Sequence, residues 1–160
     1  MIEIVQADFS QALHAAALVA LMDAYAGDPM GGAAPLEESV RRNLAAALQQ
    51  RQDAVSILAF DGDLPVGLVN AFEGFSTFRC KALLNIHDVV VIEGYRGRGI
   101  AREMLQEVES LARSRGYCKL TLEVLEGNRQ AQTVYQRAGF AGYQLDPAKG
   151  RALFWEKKLS

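Results

Sequence analysis

The feature that most constrains the fold of this chain is the junction at residues 89–101. Residues 89–92 are three valines and an isoleucine, and such a continuous β-branched run is typical of a buried central strand. Three glycines and two arginines follow within residues 94–99, and helical apolar spacing begins at Ile100. The first N–H groups of a helix lack partners within the helix and lie at its positive end, so they bind phosphate oxygens. The junction therefore predicts a phosphate-binding loop between a strand and a helix.

Two other kinds of phosphate loop fit this segment less well. A P-loop requires Gly-Lys-Ser or Gly-Lys-Thr, and neither triplet occurs in the chain. A Rossmann loop requires a third glycine where Arg102 stands, and it usually comes early in a chain. The plain alternative is a glycine-rich turn that only joins two elements. Such a turn does not need Arg96 and Arg98, which we expect to add charge-assisted hydrogen bonds to phosphate.

Hydrophobic periodicity predicts an α/β (α+β) fold that forms a single domain over residues 1–160. Apolar runs predict strands at 2–6, 54–60, 65–75, 83–92 and 118–124, and a last pair that starts at 140–143 and finishes at 152–158. Helical spacing predicts a first helix capped by Asp8 and further helices at 36–48, 97–115 and 128–138. Residues 27–32 read as a mobile loop. The strand–helix–strand order in the second half predicts a βαβ unit and hence some parallel pairing, and the hairpins make the sheet mixed.

Composition excludes several classes of protein. The net charge of −2 gives no general attraction to nucleic acid or to an anionic membrane, and no apolar run approaches the ~20 residues that span a bilayer. Two cysteines and two histidines, none in a CxxC spacing, predict no metal site and a reduced cytoplasmic setting. The first residues lack the basic and apolar regions of a signal peptide, which agrees with that setting.

The loop and a second segment resemble the GCN5-related N-acetyltransferase (GNAT) superfamily. Residues 96–101 match the family's coenzyme A signature Arg/Gln-x-x-Gly-x-Gly/Ala, after an apolar strand. Asn128, Tyr135 seven residues later, and Gly139-Phe140 match the second family element. The resemblance covers essentially the whole chain. It implies a GNAT-like fold, with a mixed, mostly antiparallel central sheet, a central parallel βαβ unit and helices on both faces, and it implies an acetyl-CoA-dependent N-acetyltransferase.

The same resemblance implies which residues hold acetyl-CoA. The strand before the loop would splay from its parallel neighbour and expose main-chain groups to the pantetheine arm, while the loop amides would hold the pyrophosphate. Asn128 would contact pantetheine, and the Tyr135 hydroxyl would approach the thioester sulfur. The implied coenzyme-binding residues are Val89, Val90, Val91, Arg96, Gly97, Arg98, Gly99, Ile100, Ala101, Asn128 and Tyr135.

Aminolysis of a thioester requires a base, an oxyanion donor and an acid. His87 is the first candidate for the base, because histidine as a residue type titrates near pH 6.5, and Asp88 is the second or an orienting partner. Strand alternation predicts that His87 shares a face with Val89 and Val91, opposite Asp88. The amide of Val89 or Val91 is the oxyanion candidate, and Tyr135 is the acid. Each catalytic role has a purely structural alternative. His87 would then only satisfy local hydrogen bonds, and Tyr135 would only pack in the core.

The acceptor side is less defined by the sequence. Phe75 and Thr77 lie in an aromatic, small polar segment that we expect, together with His87, to wall the acceptor pocket. Glu73 and Glu93 are candidates to attract a cationic amine, although solvated carboxylates are the commoner case. The loop at 27–32 is expected to fold over the acceptor.

The identity of the acceptor stays open at this point, between a small-molecule amine and a protein N-terminus or lysine. Two alternatives to the enzyme are a non-catalytic acyl-CoA binding module, which needs the phosphate loop but neither His87 nor Tyr135, and a nucleotide-binding protein. The bulky apolar residues Leu153–Trp155 make a homodimer possible.

Overall fold

The computed structural model describes residues 1–159. The strands are β1 (Ile2–Gln6), β2 (Ala54–Asp61), β3 (Leu64–Ser76), β4 (Lys81–Val91) and β5 (Leu120–Leu122). The helices are α1 (Ala12–Gly27), α2 (Glu38–Gln49), α3 (Ile100–Ser114) and α4 (Arg129–Arg137), and short 3₁₀ turns lie at Glu93–Tyr95 and Pro147–Lys149. None of these helices within residues 1–159 has both the length and the apolar character required to cross a membrane.

The strands form one sheet in the order β1-β2-β3-β4-β5. The first four strands pair antiparallel, and β4 pairs parallel with β5. Since β4, α3 and β5 form a βαβ unit, the predicted mixed, mostly antiparallel sheet is confirmed. The parallel pair, however, lies at an edge of the sheet within residues 1–159 and not at its centre.

The helices cover both faces of the sheet, as the sequence resemblance implied. On one face, α3 contributes Ile100, Met104 and Val108 to a core that also contains Leu84 and Ile86 of β4. On the other face, α1 and Leu48 of α2 pack on β2, β3 and β4 through a second cluster of buried residues: Ala17, Leu18, Leu21, Leu48, Leu58, Phe60, Leu68 and Val90. These two cores hold β4 between them, and β4 carries the candidate site.

Local sequence signals set most helix ends. Gly116 and Gly139 follow α3 and α4 with φ of 71° and 93°, the left-handed conformation that glycine adopts without strain. Asn128 caps α4, because its side chain accepts a hydrogen bond from the Ala131 amide at 3.1 Å. The prediction that Asp8 caps the first helix was wrong: α1 begins at Ala12, and the Asp8 carboxylate instead accepts hydrogen bonds from Ser10.

The predicted last pair of strands was also wrong. Within residues 140–159 the chain forms only the 3₁₀ turn at Pro147–Lys149, and Phe154 and Trp155 are largely exposed. An alternating apolar pattern becomes a strand only when its backbone groups pair with a neighbour, and β5 offers just three paired residues. The homodimer stays a prediction.

Candidate functional site

A β-bulge in β4 sets the direction of the histidine that the sequence singled out. Asn70 and Ala71 are neighbours on β3, yet they pair with Asp88 and Ile86, so His87 is the extra residue of β4. The His87 ring packs edge-on against Phe72, with ring centroids 4.7 Å apart, on the sheet face that α1 and α2 cover. The prediction that His87 shares a face with Val89 and Val91 was therefore wrong, because a bulge interrupts strict alternation.

Asp88 lies on the same face as His87, in a buried polar chain. The Ser56 hydroxyl donates to Asn70 Oδ1 at 2.6 Å, and Asn70 Nδ2 donates to Asp88 Oδ2 at 3.0 Å. Burial raises the pKa of the Asp88 carboxyl, while the Asn70 hydrogen bond and nearby His87 oppose that shift. The carboxyl is held by a buried amide, which suits an orienting group better than a base that meets the substrate.

The loop before α3 presents a row of backbone donors. Gly97 and Gly99 have φ of 77° and 86°, so the chain turns into the helix with no Cβ over the loop. Within residues 1–159, none of the amides from Gly97 to Arg102 has a hydrogen-bond acceptor, whereas the next amide, that of Glu103, donates to the Gly99 carbonyl. These donors lie at the positive end of a 15-residue helix, where an anionic ligand is stabilised. Ile100 is buried and fixes the start of the helix on the sheet.

The two arginines of the loop rest on protein groups. The Arg96 guanidinium donates from Nε to the Val91 carbonyl at 3.0 Å and from Nη2 to Asp28 Oδ2 at 2.8 Å. The Arg98 guanidinium lies over the Tyr95 ring, 4.6 Å from its centroid. Both side chains border the loop, and their phosphate contacts remain a prediction.

Main-chain groups of β4 face a gap where β5 has ended. The last paired residue of β5 is Leu122, opposite Ile86, so β4 extends five residues beyond the pairing. The Ile92 amide donates to Val66 on β3, and backbone groups alternate along a strand, so the N–H and C=O groups of Val89 and Val91 point to the β5 side. This is the splayed strand pair that the sequence resemblance implied.

A cavity of about 490 Å³ lies at this splayed end of the sheet. Its lining combines β4, β5 and α4 with the end of α1 and with Phe154 from the C-terminal segment. The lining residues are Tyr25, Met30, Ile86, His87, Val89, Leu122, Glu123, Val124, Leu125, Asn128, Ala131, Tyr135 and Phe154. The structure thus brings together four of the predicted site residues: His87, Val89, Asn128 and Tyr135.

Tyr135 faces this cavity from α4 in a protonated form. Burial, followed by the neighbouring Tyr25, raises the pKa of its phenol to about 12. Its hydroxyl has no hydrogen-bond partner within residues 1–159, while its ring contacts Phe140 with centroids 6.1 Å apart. A phenol in this state is a proton donor at neutral pH, and both roles weighed from the sequence, packing and donation, fit its position.

Phe75 and Thr77 do not belong to the cavity. Phe75 is 61% exposed and pairs with Ala82, five residues from His87 along β4, which corresponds to about 16 Å. Thr77 lies beyond the end of β3, in the turn of the hairpin. A long stretch of strand separates the aromatic segment from the bulge, so the predicted acceptor role of these two residues gains no support from this cavity and stays a prediction. Glu73 and Glu93 are likewise exposed and outside the lining.

Sequence reasoning did not assign nine of the thirteen lining residues to the site, among them Tyr25, Met30, Glu123 and Phe154. Met30 lies in the loop that was expected to fold over the acceptor, so the glycine-rich composition of that loop was the available signal. Glu123 follows β5 directly and is the one carboxylate in the lining, which contains no lysine or arginine within residues 1–159. Its place at the end of a strand of the βαβ unit is a position where ligands commonly bind.

The chain belongs to the Acetyltransferase (GNAT) family, whose model matches residues 18–140. It is 39% identical over 88 residues to streptothricin acetyltransferase of Streptomyces lavendulae, a match that covers 55% of this chain and 44% of that protein. The matches to three of the curated relatives cover between 35% and 64% of those proteins' lengths.

Solved structures agree with this assignment. The crystal structure of a probable acetyltransferase superposes with a TM-score of 0.80 at 26% identity and covers 98% of this chain and 99% of that chain. The structure of AAC(6′)-Iy with the bisubstrate analogue CoA-S-monomethyl-acetylneamine gives a TM-score of 0.77 at 16% identity and covers 99% of both chains. At that identity the likeness concerns the fold alone.

Proposed function

We propose that this chain transfers the acetyl group of acetyl-coenzyme A to a primary amine of a small molecule, by direct attack within a ternary complex. The observation that carries the proposal is the continuity of three features along β4. The unpartnered amides of Gly97–Arg102 lie at one end, the main-chain groups of Val89 and Val91 face the gap beside them, and the cavity with Tyr135 lies at the bulge. Coenzyme A has a matching order of parts: pyrophosphate, pantetheine arm and thioester.

The donor half of the site has a partner for each part of the coenzyme. The pyrophosphate accepts hydrogen bonds from the loop amides at the positive end of α3. The pantetheine arm pairs with the main-chain groups of Val89 and with the amide of Val91, whose carbonyl already accepts Arg96 Nε. Asn128 uses its Oδ1 to cap α4, and its Nδ2 has no acceptor within residues 1–159, so this amide group suits a pantetheine carbonyl.

The acceptor half favours a cationic amine. Glu123 supplies the negative charge of the cavity, and the remaining lining is mainly apolar or aromatic. An alkyl ammonium group with an ordinary pKa of about 10 is attracted by such a carboxylate before it loses its proton. The name of one relative, streptothricin acetyltransferase, supports a small-molecule acceptor.

The chemical step is aminolysis of a thioester. The neutral amine attacks the thioester carbonyl, the C–N bond forms, and the oxyanion takes a hydrogen bond from the amide of Val89 or Val91. His87, which is exposed and lines the cavity, accepts the proton that the amine loses. Asp88 orients the His87 segment through Asn70. The C–S bond then breaks, and Tyr135 gives its proton to the departing thiolate.

Two measurements test this proposal in sequence. Calorimetry with acetyl-CoA and with coenzyme A should give saturable heat, because the amide loop binds the part that the two ligands share. Release of free thiol from acetyl-CoA with a panel of small amines should then depend on the amine. Saturable binding without turnover on the whole panel would favour the binding module, and absence of heat from folded protein would reject the proposal altogether.

His87 can be tested separately from binding. Replacing it with glutamine keeps a polar side chain of similar reach but removes the imidazole that is proposed to accept the proton, so we expect turnover to fall about 10²-fold or more while acetyl-CoA affinity is unchanged. A pH–rate profile that keeps both its shape and its height in His87→Gln would transfer the base role to Glu123 or to a water chain.

A further inference from the structure

The segment between α1 and α2 links the two halves of the site. Tyr25, in the last turn of α1 just before the segment, and Met30, within the segment, line the acceptor cavity. Asp28, between them, turns toward the glycine-rich loop at residues 94–99, called the coenzyme loop below. Its carboxylate pairs with Arg96 at 2.8 Å. The Asp28 side chain is 22% exposed and that of Arg96 is 44% exposed, so the pair is only partly screened by solvent. One ion pair therefore joins the acceptor side of the protein to the donor side.

Arg96 is a fixed anchor for this ion pair. Its Nε donates to the carbonyl of Val91, the last residue of β4, at 3.0 Å. A guanidinium group that donates in two directions is held in one orientation, and its planar geometry limits the positions that a partner carboxylate can take. The location of Asp28 is thus defined relative to β4.

Asp28 in turn organises the residues that follow it. Its Oδ1 accepts the Met30 amide at 2.9 Å, and its carbonyl accepts the amides of Gly31 and Ala33 at 2.8 and 3.1 Å. The hydrogen bond from Met30, and then the bond from Arg96, lower the pKa of the Asp28 carboxyl, so it is charged at neutral pH. Movement of the anchored carboxylate would move Met30 with it.

The other end of the segment is held differently. The Leu36 amide donates to Asp23 of α1 at 2.9 Å, and Arg41 of α2 donates to the Leu36 carbonyl at 3.1 Å. These contacts connect this end of the segment to the two helices that flank it. Only the Asp28 end reaches the coenzyme loop among the hydrogen bonds of residues 1–159.

We propose that Asp28 is a positioning residue whose ion pair with Arg96 holds Met30, next to Tyr25 of α1, against the acceptor side of the cavity. The inference rests on the proposed function, since the acceptor is bound there. It predicts that breaking the pair weakens acceptor binding and loosens the segment, while the coenzyme loop keeps its amides.

The variant Asp28→Asn isolates the ion pair. Asparagine retains an Oδ1 acceptor for the Met30 amide but carries no charge for Arg96. We expect the acceptor KM to rise about two- to fivefold, as for loss of a partly exposed ion pair, with kcat within twofold of the parent and acetyl-CoA affinity no weaker. Amide hydrogen exchange in residues 28–36 should become faster. Asp28→Glu, which keeps the charge, should recover at least part of the KM.

Glu109→Gln is the matched control, because it removes one carboxylate from a 2.6 Å ion pair with Arg113 on the surface of α3. It should change neither the acceptor KM nor the exchange of residues 28–36. The proposal is overturned if Asp28→Asn leaves both quantities at the parent values, or if kcat falls as much as KM rises while Asp28→Glu recovers nothing. Hydrogen exchange does not require turnover. If the parent protein proves inactive, the proposed function is rejected, while the exchange of residues 28–36 in Asp28→Asn still tests the role of the ion pair.

Discussion

Replacing Gly99 with alanine tests whether the loop before α3 is a ligand cradle or only a turn. Gly99 has φ of 86°, and a Cβ built there would meet nothing nearer than Glu103 Oε1 at 4.0 Å. The protein itself therefore has room for the methyl group, and the variant suffers only the left-handed strain of about 1–2 kcal/mol. For a domain of this size, that strain lowers Tm by roughly 2–8 °C.

Coenzyme binding should respond much more strongly than stability. The added methyl group enters open space beside the unpartnered amides, where the proposed function places phosphate, so we expect at least one charge-assisted hydrogen bond, about 1.5–3 kcal/mol, to be lost. The dissociation constant of coenzyme A measured by calorimetry should then rise about 10- to 100-fold.

Gly116→Ala provides the comparison at the opposite end of the same helix. Gly116 has φ of 71° and no atom within 4 Å of a built Cβ, so the strain is similar, but no ligand is expected there. Its Tm should fall to a similar extent, while its affinity for coenzyme A stays at the parent value. Equal coenzyme affinity in both variants would refute the amide cradle, because both positions have a similar backbone strain and only Gly99 lies beside the unpartnered amides.

Two further predictions concern the ionisable groups beside the cavity. Tyr135→Phe should lower turnover by about 10²-fold or more with little change in acetyl-CoA affinity, measured by thiol release and calorimetry, and an unchanged rate would leave Tyr135 as a packing residue. Because the folded-state pKa of Tyr135 is about 12, against 10 for the ordinary phenol, the folded protein holds this proton between pH 10 and 12 and the unfolded chain does not. The contribution of Tyr135 to stability is therefore lost as pH rises through that window. The Tm of Tyr135→Phe should fall less than the Tm of the parent between pH 10 and 12. Asp88→Asn should be as stable as the parent at pH 7 or more so, because the buried carboxyl has a raised pKa and its charging above pH 3.8 disfavours folding, while asparagine still accepts the Asn70 hydrogen bond. The Tm difference between the two proteins should shrink as pH falls toward 4, and a Tm at pH 7 well below that of the parent would contradict this reading.

The sequence was most informative where structure depends on near neighbours. Positive φ at Gly97, Gly99 and Gly116 follows from local backbone requirements that glycine meets most easily, and the cap formed by Asn128 involves a residue three positions away. The periodicity of α3 likewise determined which side chains enter the core. These signals were sufficient for the mixed sheet and the position of the loop.

The face on which His87 lies depends on how β3 and β4 pair. Alternation is a property of one strand, whereas a bulge depends on the register between two strands, which a single segment does not encode. The error at His87 had this cause. The failed strands at 140–158 had a related one, because pairing requires a partner elsewhere in the chain.

By itself, the sequence determined the glycine-rich junction between a strand and a helix, most of the helices and strands, and the GNAT resemblance, since all of these rest on residue order over short distances. Tertiary structure alone decided that Tyr25, Met30, Glu123 and Phe154 share one cavity with Tyr135, and that Asp28 reaches Arg96 across 68 positions of the chain. The physical reason is that such contacts depend on how the two helical layers and the C-terminal segment pack around one strand, and that packing is set by the whole fold.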